Sequence, residues 1–222
     1  IGGMGPQASA HLLKLLIDMS ASEFGARNGD QFPEIFLISE PIEDFISDKS
    51  KAKDAFKILK NKIKFLDNAK VNSLAIACNT AHILLPDLQS LTKIPFISVI
   101  EEVADKVSES KLKTVGILAT PTTIRSKLYQ DALKNKGIKL IIPRKTDLRK
   151  IEEIIRKVIS GEISSKDAEI VNLIVKNLIK RGAEGILLGC TELSLIFLDN
   201  STSPIFDSLE ILSRSLLHKI YE

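Results

Sequence analysis

Cys78 and Cys190 are the only two thiols in a chain of 222 residues, and each follows an apolar run. Cys78 stands in IACNTAH (76–82), ahead of Asn79, Thr80 and His82; Cys190 stands in ILLGCTEL (186–193), ahead of Thr191 and Glu192. Taken singly, either has an ordinary reading as a small buried hydrophobe, the commonest fate of a free thiol. Taken together they share a placement, the end of a strand running into a polar, threonine-containing turn. At such a turn, if a helix begins there, the helix dipole and unpaired N–H groups favour a thiolate.

Three chemistries use thiols in this setting. A metal site would pair Cys78 with His82, four residues on, and would need Cys190 with Glu192 or another histidine to complete it. Zinc ligands usually come in closely spaced pairs, and no second pair exists, so no metal is expected. A redox couple lacks its Cys-x-x-Cys, which leaves only an accidental disulfide on oxidation. Acid–base chemistry accounts for more. Two thiols on opposite walls of a cleft can face opposite sides of one carbon. One removes a proton as thiolate and the other returns a proton as thiol, which inverts the carbon without a cofactor. The developing carbanion then needs hydrogen bonds and dipoles in a dry cavity. Asn79, Thr80 and Thr191, with the backbone N–H groups of both turns, are suitable donors to a substrate carboxylate. A pyridoxal mechanism needs a Schiff-base lysine, and no lysine here is marked out by its context.

Other segments join this set with two readings each. GGMGP (2–6) reads as a tight glycine turn, and also as a turn that closes over the cleft through Met4 and Gly5 and donates N–H groups to an anion. It is neither a dinucleotide fingerprint nor a phosphate-binding loop. LATPTTIRS (118–126) gathers Thr120, Thr122, Thr123 and Ser126 at a helix start; most are caps, and one or two can reach a ligand. His82 either orients Cys78 or Asn79 or is satisfied within the core. His11 and His218 are expected on helix surfaces. Asp30 and Gln31 form a turn or a lid.

The elements that position these groups follow from the hydrophobic pattern. Apolar runs at 34–39, 73–78, 95–100, 114–120, 139–143, 185–190 and 204–209 are nearly continuous rather than alternating, as in buried parallel strands. Amphipathic segments lie between them. Residues 50–69 carry Phe56, Leu59, Ile63 and Leu66 on one face; residues 167–182 carry Ile170, Leu173, Ile174, Leu178 and Ile179 and stop at Gly182, a suitable capping residue. Such alternation builds βαβ units with helices on both faces of a sheet. GGMGP opens directly after Ile1, where a strand normally delivers the chain, so a few residues upstream of Ile1 are expected.

The chain repeats itself at long range. FLDNAKVNSLAIACNTAHIL parallels LIKRGAEGILLGCTELSLI, and IPFISVIEE parallels SPIFDSLEI; the two cysteines are 112 positions apart, about half the chain. Two similar α/β/α domains are expected, each with a mostly parallel four-stranded sheet, related by a pseudo-twofold axis with the active site in the cleft between them. Ligands bind beyond the carboxyl ends of parallel strands, where both cysteines fall. The first domain is assigned to 1–98 plus 208–222 and the second to 99–207. Each closing helix packs on the other half, and hinges lie near 99 and 207.

Composition narrows the partners. Charge is nearly balanced, with 31 basic and 28 acidic side chains and a net charge of +3. The lysines of 53–66 and 126–137 are scattered as on solvated helix faces, and aromatic residues are 5% with no Trp. Nucleic-acid binding, which needs clustered basic residues and stacking surfaces, is not expected. No apolar run approaches the roughly 20 residues that cross a bilayer. No membrane partner is expected, and two free thiols suit a reducing cytoplasm.

GGMGP, ACNTAH, LLGCTEL and LAT-x-x-T-x-x-S, in this arrangement, resemble the aspartate/glutamate racemase family, nearest its aspartate racemase branch, over essentially the whole chain. The resemblance implies a cofactor-independent amino-acid racemase of two similar α/β domains, acting as a homodimer on a small amino-acid substrate. It places the catalytic pair on Cys78 and Cys190 and carboxylate binding on Asn79 and Thr80, with Thr120 and Thr123 added from the second half. Two positions depart from the family pattern. Its usual arginine after the second strand corresponds to Phe45 or Ile46 in SEPIEDFISD, and its usual lysine in the second half corresponds to Ile159 in KVISGE. Losing one partner of a buried charge pair costs about 2–5 kcal/mol. Either Lys49, Lys51 or Arg125 substitutes, or the substrate is a different, less acidic amino acid. Other uses of the same paired cysteines are hydantoin racemisation and malonate-type decarboxylation or isomerisation; a non-catalytic amino-acid binder is the alternative of another class.

Overall fold

A computed structural model of the chain describes residues 1–43, 49–197 and 203–222. Its second half is built on a four-stranded parallel sheet. β3 (Thr114–Ala119) is flanked by β4 (Lys139–Ile141) and β5 (Gly185–Gly189), and β6 (Ile205–Asp207) pairs with β5, giving the order β4-β3-β5-β6. β5 is buried along its whole length and β3 from Val115 onward, which is why these strands read as unbroken apolar runs.

Their side chains divide with a period of two, as a pleated strand requires. Val115, Ile117, Ala119 and Leu187 face a layer formed by α4 (Val99–Glu109) and α6 (Leu128–Asn135). Leu118, Ile186 and Leu188 face α7 (Lys145–Ser160) and α8 (Ser165–Lys180) on the other side. The buried stripe of α8 is Ala168, Val171, Ile174, Val175 and Leu178. The expected stripe was offset from it: Leu173 is 64% exposed. Apolar residues outnumber the positions that face the sheet, and packing selects the Val171/Val175 side.

The first half repeats the plan with shorter ladders. β1 (Leu74–Ala75) and β2 (Phe96–Ile97) pair in parallel. Ile1 N donates to Ala75 O and Ala77 N donates to Ile1 O. Gly2 N donates to Ile38 O at 2.8 Å, and Glu40 N to Gly2 O at 3.1 Å. Segments 38–40, 1–2, 74–77 and 96–97 therefore lie side by side in the order seen in the second sheet. The run expected as a strand at 34–39 contributes a single bridge, Ser39 to Gly2. α1 (Pro6–Ser22), α2 (Ala52–Asn68) and α3 (Leu85–Gln89) pack around these segments.

The long-range repeat shows in the caps. Ser98 caps α4 by accepting from Glu101 N, and Asp207 caps α9 (Ser208–Tyr221) by accepting from Leu209 N and Glu210 N. Each helix follows the last strand of one half. α4 then joins the core beside β3, while Leu209 and Leu217 of α9 pack on Leu12, Leu16 and Met19 of α1. Among the described residues no helix is long and apolar enough to cross a membrane.

Candidate active site

Buried polar side chains concentrate where the two sheets' carboxyl ends meet. Asn79, Thr80, His82, Thr120, Thr122, Thr123, Thr191, Glu192 and Ser208 are all at most 5% exposed. A buried polar group costs free energy unless it is hydrogen-bonded, and several of the bonds made here cross between the halves. The Thr80 hydroxyl lies 2.9 Å from Thr120 Oγ1 and 3.0 Å from Thr123 Oγ1, and those two are 3.0 Å apart. Thr120 also caps α5 (Pro121–Arg125), accepting from Thr123 N at 3.1 Å. Asn79 Nδ2 donates to Ser208 Oγ at 3.0 Å, and Tyr129 OH donates to Asn79 Oδ1. Tyr129 is fully buried, and burial, with Asp207 and Cys190 nearby, pushes its pKa well up, so it stays a phenol and a donor.

Cys78 is half-buried and leads into a 3-10 turn, Thr80–Leu84. His82 fastens it. Val99 N donates to His82 Nε2 at 3.1 Å, so Nε2 is the acceptor and the proton sits on Nδ1, 2.9 Å from Cys78 O. Burial holds the His82 pKa down to about 4, and the ring is neutral. Both ring nitrogens are thus satisfied by backbone groups within the core, and the ring ties that turn to the start of α4.

Cys190 is 4% exposed, and its Sγ donates to Glu192 Oε2 at 3.0 Å. Thr191 Oγ1 donates to the same oxygen at 3.1 Å. Burial pushes the Cys190 pKa well up, followed by the charge of Glu192 and the bond to it, with a contribution from Cys78. Burial also raises the Glu192 pKa, against the bonds it accepts. Cys190 is thus held as a thiol that donates to a buried carboxylate.

The glycine turn approaches from the first half. A Cβ at Gly5 would stand 1.7 Å from Glu192 Oε1, so only glycine lets the turn touch that carboxylate. Gly3 has φ +94°, and a Cβ there would meet Glu40 O at 2.2 Å, a second position closed to other residues. The turn was expected to offer N–H groups to an anion. Two are already committed, Gly3 N to Ser9 Oγ and Gly2 N to Ile38 O. Met4 is half-buried and packs on the first half's core.

Of the sequence-derived candidates, Thr80, Thr120 and Thr123 thus share one hydroxyl cluster across the halves, Asn79 bonds to Tyr129 and Ser208, Thr191 and Cys190 share Glu192, and Gly5 abuts it. Glu192, Tyr129, Ser208 and Asp207 were not singled out as site residues. Glu192 stands inside the quoted Cys-Thr-Glu motif; Tyr129 carried no signal, being one aromatic in an amphipathic helix. Of the basic substitutes, Lys51 pairs with Glu43 at 3.2 Å near the surface, and Arg125 Nη2 donates to Thr122 Oγ1 at 3.3 Å. Phe45, Ile46 and the Lys49 side chain lie outside the described residues. Ile159 is half-buried near the end of α7, where its carbonyl accepts from Gln7 Nε2 at 2.7 Å. Gln31 belongs to a capped 3-10 turn, Gly29–Gln31, which fits the turn reading.

Among the described residues no group of three or more His, Cys, Asp or Glu could hold a metal. A cavity of about 570 Å³ opens elsewhere, between segments 33–37 and 69–75 and lined by Leu12, Leu16, Phe36, Leu66 and Leu74. It contains no thiol and no buried hydrogen-bonded polar cluster, and neither Cys190 nor Glu192 lines it.

The Asp/Glu/hydantoin racemase family model matches residues 1–216. The broad specificity amino-acid racemase RacX of Bacillus subtilis is 27% identical over 219 residues, covering 97% of this chain and 94% of that protein. An aspartate racemase homologue from Pyrococcus horikoshii superposes with a TM-score of 0.83 at 29% identity, covering 100% of this chain and 97% of that one. The Picrophilus torridus aspartate racemase gives 0.81 at 26% identity, covering 98% and 91%.

Proposed function

Because the chain belongs to the Asp/Glu/hydantoin racemase family, we propose that it is an amino-acid racemase that inverts the α-carbon with two cysteines, Cys78 and Cys190. The observation that carries this reading is the Cys190–Glu192 pair, a buried thiol held protonated by a carboxylate, in a site whose second thiol is Cys78. Cys78 starts as the thiolate. It takes the α-proton of one enantiomer, and the C–H electron pair passes into the α-carboxylate as an enediolate. Cys190 then gives its S–H proton to the opposite face, and a new C–H bond forms with inverted configuration. The turnover ends with Cys78 as thiol and Cys190 as thiolate, the state from which the other enantiomer is processed. Burial and the neighbouring carboxylate that disfavour this thiolate also make it the stronger base.

Asn79 and the Thr80, Thr120 and Thr123 hydroxyls are the donors for the α-carboxylate and its enediolate form. They are preorganised by one another and by Tyr129 and Ser208, which is what electrostatic stabilisation of a transition state requires. Neither proton transfer draws on a group outside the chain. In this reading the halves are residues 1–98 with 208–222, and 99–207, with hinges near 99 and 207.

Incubating the protein in D₂O with single enantiomers and no added cofactor tests this. Deuterium entering the α-position together with appearance of the mirror-image amino acid supports it, whereas exchange that requires added pyridoxal phosphate, or no exchange with any amino acid, refutes it. The similarity to a relative named for broad specificity makes a varied amino-acid panel the right choice.

A further inference from the structure

We infer that the substrate is an α-amino acid with a single carboxylate, its side chain neutral or cationic, and that dicarboxylic amino acids are rejected; this rests on the racemase reading above. Among the described residues, the charged side chains placed beside Cys190 and Tyr129 are carboxylates. Glu192 is 5% exposed and bonded to Cys190. Asp207 lies near enough to Tyr129 to raise its pKa, and its Oδ1 is engaged by Ser194 Oγ and the α9 N–H groups. The remaining polar groups, Asn79, Thr80, Thr120, Thr123, Thr191 and Tyr129, are uncharged donors, and His82 is neutral.

A zwitterion suits this set. The neutral donors take its one carboxylate, and the buried Glu192 charge favours its ammonium. A side-chain carboxylate would sit in a buried site that already holds the Glu192 carboxyl group, where like charges are costly. Several described cations have partners of their own. Arg125 reaches Thr122, Lys51 reaches Glu43, and Lys157 reaches Asp167 at 2.7 Å. Segments 44–48 and 198–202 read DFISD and LDNST and hold no basic residue, and the Lys49 side chain lies outside the described residues.

Near-isosteric pairs isolate the charge: asparagine against aspartate, and glutamine against glutamate, each as both enantiomers. Two readouts are taken on the unmodified protein, α-proton exchange in D₂O and binding by calorimetry. The amide of each pair is expected to exceed its acid in kcat/KM and in affinity by about 100-fold or more, the size of a penalty of a few kcal/mol. Equal or faster exchange of aspartate or glutamate overturns the inference and leaves the racemase reading standing. Absence of exchange with every amino acid refutes the racemase reading instead. Calorimetry then decides the charge question by itself: binding of the amides above the acids supports it, and equal or reversed binding, or binding of neither, overturns it.

Discussion

Glu192→Gln is the perturbation that separates a working carboxylate from a space-filling one. The side chain is buried, it accepts from Cys190 Sγ at 3.0 Å and Thr191 Oγ1 at 3.1 Å, and its other oxygen lies against Gly5. Glutamine keeps the shape and removes the charge. A hydrogen bond to a charged group is worth about 1.5–3 kcal/mol; if that interaction prepares the proton donor, kcat/KM falls by about 10- to 100-fold. The pH profile gives a sharper reading. Cys190 has to carry its proton to act as acid, so activity falls above its pKa. Two of the causes that raise this pKa are the charge and the bond of Glu192. Removing them lowers it, and the alkaline limb of the profile moves to lower pH. Thiolate absorbance in a Cys78→Ala background, with and without Glu192→Gln, measures the same displacement directly. An alkaline limb that stays in place or moves up, with kcat/KM within about twofold of wild type, less than 0.5 kcal/mol, refutes the assigned role.

Tyr129→Phe removes the donor to Asn79 Oδ1 and leaves a buried acceptor unpaired, which costs about 1–3 kcal/mol; chemical denaturation is expected to show that loss, and kinetics a raised KM from a loosened Asn79. His82 is neutral in the fold with a pKa of about 4 against 6.5 when unfolded. Its contribution is complete above pH 6.5 and is lost as pH falls through 4, because the unfolded chain takes up the proton first; the span corresponds to about 3 kcal/mol. His82→Gln, which can keep both backbone bonds, is expected to flatten this acid limb in denaturation measured between pH 7 and 4. Gly5→Ala drives a methyl group into Glu192 and is expected to lower kcat with a smaller change in overall stability, compared by single-turnover kinetics and thermal melts.

The parallel sheets and the location of the thiols were readable because buried parallel strands write themselves as short apolar runs, and because the repeat places both cysteines at strand ends. The caps Ser98 and Asp207 were foreshadowed by the matching Pro95–Glu101 and Pro204–Glu210 spacings. The run at 34–39 has the composition of a strand, yet pairs only at Ser39; composition does not say which backbone lies alongside. The offset on α8 has the same origin, since a helix rich in Ile, Leu and Val leaves several faces open until a neighbour chooses one. In the site, residue types were legible and partners were not. Thr80 meets Thr120 and Thr123, 40 and 43 positions along the chain, only through contact between the halves. The buried charge of Glu192 depends on Gly5 coming close, which a spacing rule does not express.

The pairing of the two thiols is tested most directly by following α-deuterium exchange of each enantiomer in Cys78→Ala and in Cys190→Ala. Each variant keeps one thiol on one face, so each is expected to lose racemisation while retaining exchange, if any, with a single enantiomer, and with opposite preference in the two variants. Racemisation at the wild-type rate in either variant would contradict the account.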